Sequence, residues 1–278
     1  MWKKLIQFIV VTLAVLFFAV LLAPMPRFNN PCSTVVLASD GQLLGARIST
    51  DGQWRFPQTD TVPEKFRQCL ILFEDQYFRF HPGVNLFAIG RAIVQNAKAH
   101  HIVSGGSTIS MQVARMAGKG KHRTISNKLI EMLSALKLEL LYSKRKILSI
   151  YASNAPYGGN LVGIEAACWR YFGHSSHQLS WAEAATLAVL PNSPSLIFPG
   201  NNDQKLKIKR DKLLKKLLDK KIIEPLDYEL ALDEAPPCKP FPLPDHSFHL
   251  TERLKKSNQG QRVTTSIDFQ LQQQVRAL

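Results

Sequence analysis

The stretch GGSTISMQVARM, residues 105–116, joins a glycine pair to the start of a helix. The glycines allow the backbone to come close to a ligand, and the hydroxyl residues after them can cap a helix N-terminus, where backbone N–H groups attract anions. A nucleotide-binding phosphate loop would need a lysine after the glycines, and none is present. The stretch therefore resembles an incomplete phosphate loop, and by itself it leaves open what the loop binds. Its candidate residues are Gly105, Gly106, Ser107, Thr108 and Arg115.

The chain is basic and begins with an apolar segment. Its 278 residues carry a formal net charge of +14, which favours an anionic partner. Lys3 and Lys4 precede an uncharged run from Leu5 to Ala23, about the ~20 residues needed to cross a bilayer. A cleaved signal peptide is the alternative, but the run is long for one and lacks a small-x-small cleavage site. We expect residues 1–24 to be an uncleaved anchor, which makes a lipid phosphate a better partner than nucleic acid.

The rest of the chain divides into four segments, and the expected fold class is mainly α. Residues 33–60 contain β-branched runs separated by the turn signals SDG and TDG, which predict a small β element near the membrane. Residues 61–232 repeat apolar side chains at helical spacing, which predicts one mostly α domain. Residues 233–262 are proline-rich and typical of a linker. Residues 263–278 look like the strand and helix that open an incomplete further domain, one resembling a transpeptidase.

Adjacent carboxylates, Glu74 and Asp75, lie in the aromatic stretch FEDQYFRFHPG, residues 73–83. A carboxylate among aromatic rings loses hydration and becomes a stronger base, as general-base catalysis requires. The commoner explanation of such a pair is a solvent-facing cap or ion pair on a helix. The stretch alone leaves both interpretations open.

A third carboxylate, Glu131, follows Lys128 by three residues in RTISNKLIEML, residues 123–133. On a helix these two side chains share one face and can form an ion pair. The apolar residues of this region recur on the opposite face, which predicts a buried stripe and an exposed ion pair. That stripe consists of Ile125, Leu129, Leu133, Leu136 and Leu140.

Taken in order and spacing, four stretches resemble one family: EDQYFRFHPGV, GGSTISMQ, RTISNKLIE and YSKRKILSIY. The family is the peptidoglycan glycosyltransferases of the lysozyme-like type, which form the N-terminal half of class A penicillin-binding proteins, and within them the 1C type. The resemblance runs from the anchor to about Pro199. It implies a lysozyme-like transferase domain behind the anchor.

The resemblance also implies site residues. The family's catalytic base falls at Glu74, and Glu131 is the second glutamate of the R-K-x-x-E motif. The implied substrate and pyrophosphate contacts are Asp75, Phe78, His81, Gly83, Gly106, Ser107, Thr108, Gln112, Arg115, Arg123, Lys128, Lys144 and Tyr151. Three positions depart from the family's motifs: Met111 replaces a glutamine, Asn127 an arginine and Ser153 an asparagine.

The implied reaction joins lipid II to a growing lipid-linked glycan at the outer face of the bacterial cytoplasmic membrane. The base deprotonates the acceptor's 4-hydroxyl, which attacks the anomeric carbon with inversion, forms a β-1,4 linkage and releases undecaprenyl pyrophosphate. The reaction needs a cationic clamp on the leaving group, for which we assign Arg115, Arg123, Lys128 and Lys144. The implied location puts the N-terminus in the cytoplasm and the catalytic domain in the periplasm. Membrane lipids and other cell-wall synthesis proteins are the implied further partners.

The resemblance implies a divalent cation, Mg²⁺ or Mn²⁺, with Glu131 as its candidate ligand. We expect no tight site made by protein alone. His174 and His177, in the loop GHSSH, could suggest such a site, but two histidines in a loop are more commonly just exposed.

Other functions stay open at this point. A lytic, lysozyme-like enzyme would also use one glutamate, but it would need neither the cationic clamp nor an uncleaved anchor. A weak or inactive, truncated scaffold of wall synthesis is suggested by Met111, Asn127 and Ser153. Because the chain contains no S-x-N or K-T-G triplet, we expect no transpeptidation from it. The apolar stretch VNLFAIGRAIV, residues 84–94, is expected either to line a lipid path or to form a core helix.

Overall fold

The computed structural model describes residues 2–101, 105–118, 124–192 and 197–277. The helices of this part are α1 Trp2–Leu22, α2 Glu64–Glu74, α3 Leu86–Ala99, α4 Ile109–Ala117, α5 Ile125–Leu141, α6 Lys144–Asn154, α7 Ile164–Tyr171, α8 Trp181–Val189, α9 Asp203–Asp219, α10 Pro225–Asp233, α11 Phe248–Ser257 and α12 Phe269–Ala277. Its strands are β1 Thr34–Leu37, β2 Leu43–Arg47, β3 Trp54–Arg55, β4 Pro156–Gly158, β5 Leu161–Val162 and β6 Arg262–Thr264. The mainly α fold with a small β element is confirmed.

The contacts between residues divide the chain into two compact units. Unit 1 contains Met1–Phe28 and Glu74–Leu148, and unit 2 contains Asn29–Phe73 and Ser149–Leu278. The mostly α segment expected over residues 61–232 contributes to both units. Of the described residues to which the family resemblance assigns a site role, all except Tyr151 belong to unit 1.

Helix α1 is long and apolar enough to cross a membrane, and most of its surface is exposed. Its C-terminal carbonyl groups, which have no partner within a helix, are capped by a residue of α5. Lys137 Nζ donates to the carbonyl oxygens of Leu21 at 2.6 Å and Ala23 at 2.7 Å. This contact fixes the end of α1 to the rest of unit 1.

Helix α4 forms the interior of unit 1. Thr108 caps it in an extended conformation, because its Oγ1 accepts a hydrogen bond from the Met111 N–H at 3.1 Å. The same hydroxyl donates to the carbonyl oxygen of Gly83 at 2.6 Å, which ties the cap to the preceding loop. The predicted helix start at the GGST stretch is therefore present.

Helix α5 packs on α4, and its buried residues are the small Ser134 and Ala135 together with Leu138. The prediction of a buried apolar stripe is wrong, because Ile125, Leu129 and Leu140 are 92%, 55% and 67% exposed. Small residues let two helices approach closely, so the side that carries them faces α4 and the bulky apolar side is left outside. Helix α3 is also mostly exposed, and Ala92 is its one buried residue. The interpretation of residues 84–94 as a core helix is therefore wrong as well.

Unit 2 contains two small sheets, with strand orders β2-β1-β6 and β3-β5-β4. The SDG turn joins antiparallel β1 and β2, as the sequence indicates. The TDG turn does not extend this hairpin, because β3 pairs with β5 in the other sheet. Within the expected linker, residues 248–257 form α11, which packs on β1 and β2. Arg47 Nε of β2 lies 2.5 Å from Glu252 Oε1 of α11. Strand β6 then pairs with β1 in parallel.

Candidate active site

Glu74, the candidate base, is the last residue of α2. Its Oε2 accepts a hydrogen bond from Gln112 Nε2 of α4 at 2.5 Å. Gln112 is itself buried, so its amide is a fixed donor. A neutral donor orients a carboxylate without neutralising it, and the carboxylate can therefore still accept a proton. The first and second motifs meet in this hydrogen bond.

Asp75 and His81 connect the loop after α2 to the start of α4. His81 Nε2 lies 2.9 Å from Asp75 Oδ2, and both side chains are almost fully buried. The Gly83 N–H donates to His81 Nδ1, so the ring proton is on Nε2 and is donated to Asp75. Asp75 Oδ2 also accepts from the Ile109 N–H at 3.1 Å, at the positive end of α4. This arrangement supports a positioning role for both residues.

Two glycines allow backbone segments of unit 1 to pack closely. A Cβ on Gly83, whose φ is +104°, would lie 2.7 Å from the carbonyl oxygen of Ala135. A Cβ on Gly106 would lie 2.7 Å from the Cα of Ile89 in α3, whereas a Cβ on Gly105 would meet nothing within 4 Å. Gly106 is thus required by helix packing, and only Gly105 leaves the open space that the sequence suggested for a ligand.

Lys128 links the second motif to the third. Its Nζ donates to Ser107 Oγ at 2.5 Å and to Glu131 Oε2 at 2.9 Å. This ion pair is only partly exposed, with side-chain exposures of 40% for Lys128 and 17% for Glu131. The expectation of a simple surface pair is therefore wrong, since the pair faces the GGST loop. Arg123, the remaining arginine assigned to the clamp, lies outside the described residues.

Lys144 holds the loop of the first motif. Its Nζ donates to the carbonyl oxygen of His81 at 2.7 Å and to Glu139 Oε1 at 2.8 Å, and it lies 4.3 Å from the ring centroid of buried Phe78. Glu139 Oε1 also accepts from Ser110 Oγ of α4 at 2.5 Å. Because a buried carboxylate balances its charge, Lys144 is better suited to positioning than to an open phosphate clamp.

Glu139 is a site residue that sequence reasoning missed. Its one signal in the sequence is a carboxylate five residues before Lys144 in KLELLYSK. Tyr151, the last assigned contact, is fully buried in the part of α6 that belongs to unit 2.

Of the three departures from the family's motifs, Met111 is explained by packing. Its side chain is 0% exposed and packs in a cluster with Val84 and Ala135. It therefore cannot provide the substrate contact that a glutamine was expected to make. Asn127 lines a cavity between α4 and α5, and Ser153 is half-buried in unit 2.

Unit 1 has a cavity of about 330 Å³ between α4, α5 and the segment after α1, which we call the α4–α5 cavity. It is lined by Pro24, Met25, Pro26, Arg27, Ala114, Arg115, Ala117, Gly118, Asn127, Ile130, Glu131 and Ser134. Arg115 and Glu131 thus face one space. A second cavity of about 410 Å³ lies between α1 and α5, with an apolar wall that includes Phe17 and Leu140 and a polar end that includes Glu139 and Lys144.

The described residues contain no cluster of three or more His, Cys, Asp or Glu side chains placed to hold a metal ion. Glu131 offers a single carboxylate, already bonded to Lys128. His174 is not simply exposed, as the sequence suggested, because its Nε2 lies 2.9 Å from Glu183 Oε1. Burial acts to lower the pKa of His174, but hydrogen bonds with Ser175 and Glu183 and the charge of Glu183 outweigh burial and raise it.

Comparison with known proteins finds relatives among the penicillin-binding proteins. It is 35% identical over 256 residues to penicillin-binding protein 1C of Escherichia coli (strain K12), an alignment that covers 92% of this chain and 33% of that protein. It is 33% identical over 244 residues to penicillin-binding protein 1A of Aquifex aeolicus (strain VF5), covering 84% of this chain and 33% of that one. The chain spans about a third of the length of these curated relatives.

The crystal structure of penicillin-binding protein 1A from Haemophilus influenzae aligns with 87% of this chain and 28% of its own, at 18% identity and a TM-score of 0.38. The sequence family described as Transglycosylase matches residues 40–218, from the β1–β2 turn to the end of α9. Since this match covers more than half of the chain, the chain belongs to the transglycosylase family.

Proposed function

We propose that this chain is a peptidoglycan glycosyltransferase that polymerises lipid II into β-1,4-linked glycan. The observation that carries the proposal is the hydrogen bond between Glu74 and Gln112, because it joins a partly buried carboxylate to the helix that begins at the GGST loop. Lys128 reaches the same loop through Ser107, and Arg115 lies on the same helix. A base and two cations are thus carried by adjoining elements of one unit.

In the proposed reaction, Glu74 accepts the proton of the acceptor's 4-hydroxyl. The hydroxyl oxygen forms a bond to the anomeric carbon of the growing chain, and the bond to the pyrophosphate oxygen breaks with its electron pair. Gln112 keeps the carboxylate oriented, while Arg115 and Lys128 neutralise the charge on the leaving pyrophosphate. A general base of this kind contributes roughly 10²- to 10⁴-fold to the rate.

A divalent cation, Mg²⁺ or Mn²⁺, fits this proposal as a companion of the substrate. Mg²⁺ commonly binds one or two carboxylates together with substrate phosphates, and Glu131 could supply one of them. Such a cation would add positive charge at the leaving group. The contact from Lys128 to Glu131 supports a second role, in which Glu131 holds Lys128 toward Ser107.

We also propose that the protein works at the outer face of the bacterial cytoplasmic membrane, with α1 as a single-pass anchor and its lysines in the cytoplasm. The exposed apolar side chains of unit 1 support a location at a bilayer, because a bilayer would remove them from water. Beyond α1 they include Phe87 of α3, 93% exposed, and Ile125 of α5. The α3 stretch is in this proposal part of the path for the prenyl tails, and other cell-wall synthesis proteins are the proposed further partners.

The test is to incubate the purified full chain in neutral detergent micelles with fluorescent lipid II and, separately, with preformed glycan strands. We expect long glycan from lipid II and no shortening of the strands. Absence of glycan would refute the proposal in favour of an inactive scaffold, and shortened strands would indicate a lytic enzyme instead.

A further inference from the structure

Arg27 lies in the short segment after α1 and lines the α4–α5 cavity together with Arg115 and Glu131. Among the described residues, neither arginine side chain has an ion pair or hydrogen-bonding partner. The sequence motifs give no reason to single out Arg27, since it lies far from them along the chain. Its place on the cavity wall is a result of the fold.

Two features hold Arg27 at this cavity. Lys137 fixes the end of α1 through the carbonyl oxygens of Leu21 and Ala23, only four residues before Arg27. Pro24 and Pro26 then restrict the backbone, because the proline ring fixes φ. The segment from the membrane helix to Arg27 is therefore short, anchored at its start and stiff.

The charges of the cavity favour an anion. Among the described residues, its wall carries two arginines and one carboxylate, Glu131, and that carboxylate is already paired with Lys128. Arginine suits phosphate groups because its planar guanidinium can donate two parallel hydrogen bonds. Asn127, at the position where the third motif of the family has arginine, lines the same cavity. Arg27, from a different part of the chain, thus places a cation in the same cavity as Asn127, the position where the motif's arginine is absent.

We propose that Arg27, together with Arg115, binds the phosphate of a prenyl-linked substrate in the α4–α5 cavity and supplies the cation that the third motif lacks at Asn127. This inference rests on the proposed function, which it extends to a residue of the segment following the membrane helix. The shared chemistry is a phosphate on a lipid. A phospholipid headgroup is the competing source, and the experiment separates the two.

The experiment measures binding of farnesyl pyrophosphate to the full chain in neutral detergent micelles by calorimetry, with farnesol as the uncharged probe. Arg27→Gln should raise the Kd for farnesyl pyrophosphate about 10-fold, because a charge-assisted hydrogen bond is lost. The matched control Arg145→Gln, at an exposed arginine of α6, should stay within about 2-fold of the unmodified protein. Adding Asn127→Arg to Arg27→Gln should restore the Kd to within about 3-fold, since the new side chain enters the same cavity.

The inference would be overturned by no binding of the probe by unmodified protein, by an unchanged Kd in Arg27→Gln, or by a weakened Kd that Asn127→Arg fails to restore. Binding to phosphatidylcholine vesicles with and without phosphatidylglycerol is measured in parallel. A loss confined to the phosphatidylglycerol vesicles assigns Arg27 to headgroups and also contradicts the inference. If the probe binds in an Arg27-dependent way but lipid II yields no glycan, the proposed function fails and the phosphate site stands. If glycan is made but the Kd does not depend on Arg27, the phosphate site fails and the proposed function stands.

Discussion

Replacing Met111 with glutamine tests whether this position contacts substrate or only fills the core. The side chain is fully buried, with Val84 and Ala135 packed around it. Burying a methionine stabilises a protein by about 1.5–3 kcal/mol, and a buried amide without partners costs about 1–3 kcal/mol. Because glutamine keeps part of the apolar stem, we expect Met111→Gln to lower the free energy of unfolding by about 2–5 kcal/mol. That is a large share of the ~5–15 kcal/mol that typically separates folded from unfolded protein.

The assay is denaturant unfolding of the full chain in neutral detergent micelles, followed by circular dichroism, together with the initial rate of lipid II polymerisation per folded molecule. Met111→Leu is the matched control and should cost less than about 1.5 kcal/mol, because it keeps the volume apolar. The rate per folded molecule should stay within about 3-fold in both variants, since neither side chain reaches substrate. A glutamine variant that is as stable as the unmodified protein and polymerises faster would refute the assignment of Met111 to the core.

Three further predictions concern the framework of the two units. Gly106→Ala should lower the free energy of unfolding by about 1–3 kcal/mol, because the added Cβ meets the α3 backbone. Gly105→Ala, the control, should change it by less than about 0.5 kcal/mol. Equal losses in the two variants would contradict the packing argument. Glu139→Gln removes the charge that balances Lys144, which holds the first-motif loop. The variant should have lower thermal stability and a lower polymerisation rate, with a nearly unchanged affinity for lipid II. An unaltered rate would contradict the positioning role of Glu139. The pKa of His174 is raised in the folded state, so its ion pair with Glu183 stabilises the fold fully below the unfolded-state pKa of about 6.5. This stabilisation is lost as the pH rises through the folded-state pKa. Melting temperatures of His174→Asn and unmodified protein should therefore differ most at acidic pH and converge at alkaline pH; a constant difference would contradict the linkage.

Local features are predictable from the sequence because short-range rules determine them. Thr108 is a helix cap because its hydroxyl meets a backbone N–H three residues on, and the SDG turn joins two strands of matching pattern. The order of the motifs also indicates that Glu74 and the helix after GGST contribute to one site. The hydrogen bond that Gln112 donates to Glu74 depends on the tertiary fold.

The errors arise where a local pattern is interpreted without its surroundings. The spacing of apolar residues in α5 predicts a core stripe because apolar side chains usually face away from water, but here the small residues face α4 and large ones such as Ile125 stay exposed. The glycine pair suggests a ligand beside Gly106, yet the neighbouring helix occupies that space. Glu139 and Arg27 gain their significance from contacts across unit 1 that no spacing along the chain specifies.

The most direct test of the account is the initial rate of lipid II polymerisation by Glu74→Gln compared with unmodified protein. Glutamine keeps the size of the side chain and can still accept a hydrogen bond from Gln112, but it cannot take the proton of a hydroxyl group. We predict a loss of roughly 10²- to 10⁴-fold in rate with an unchanged melting temperature. A variant that keeps more than about a tenth of the rate would contradict the assignment of Glu74 as the general base.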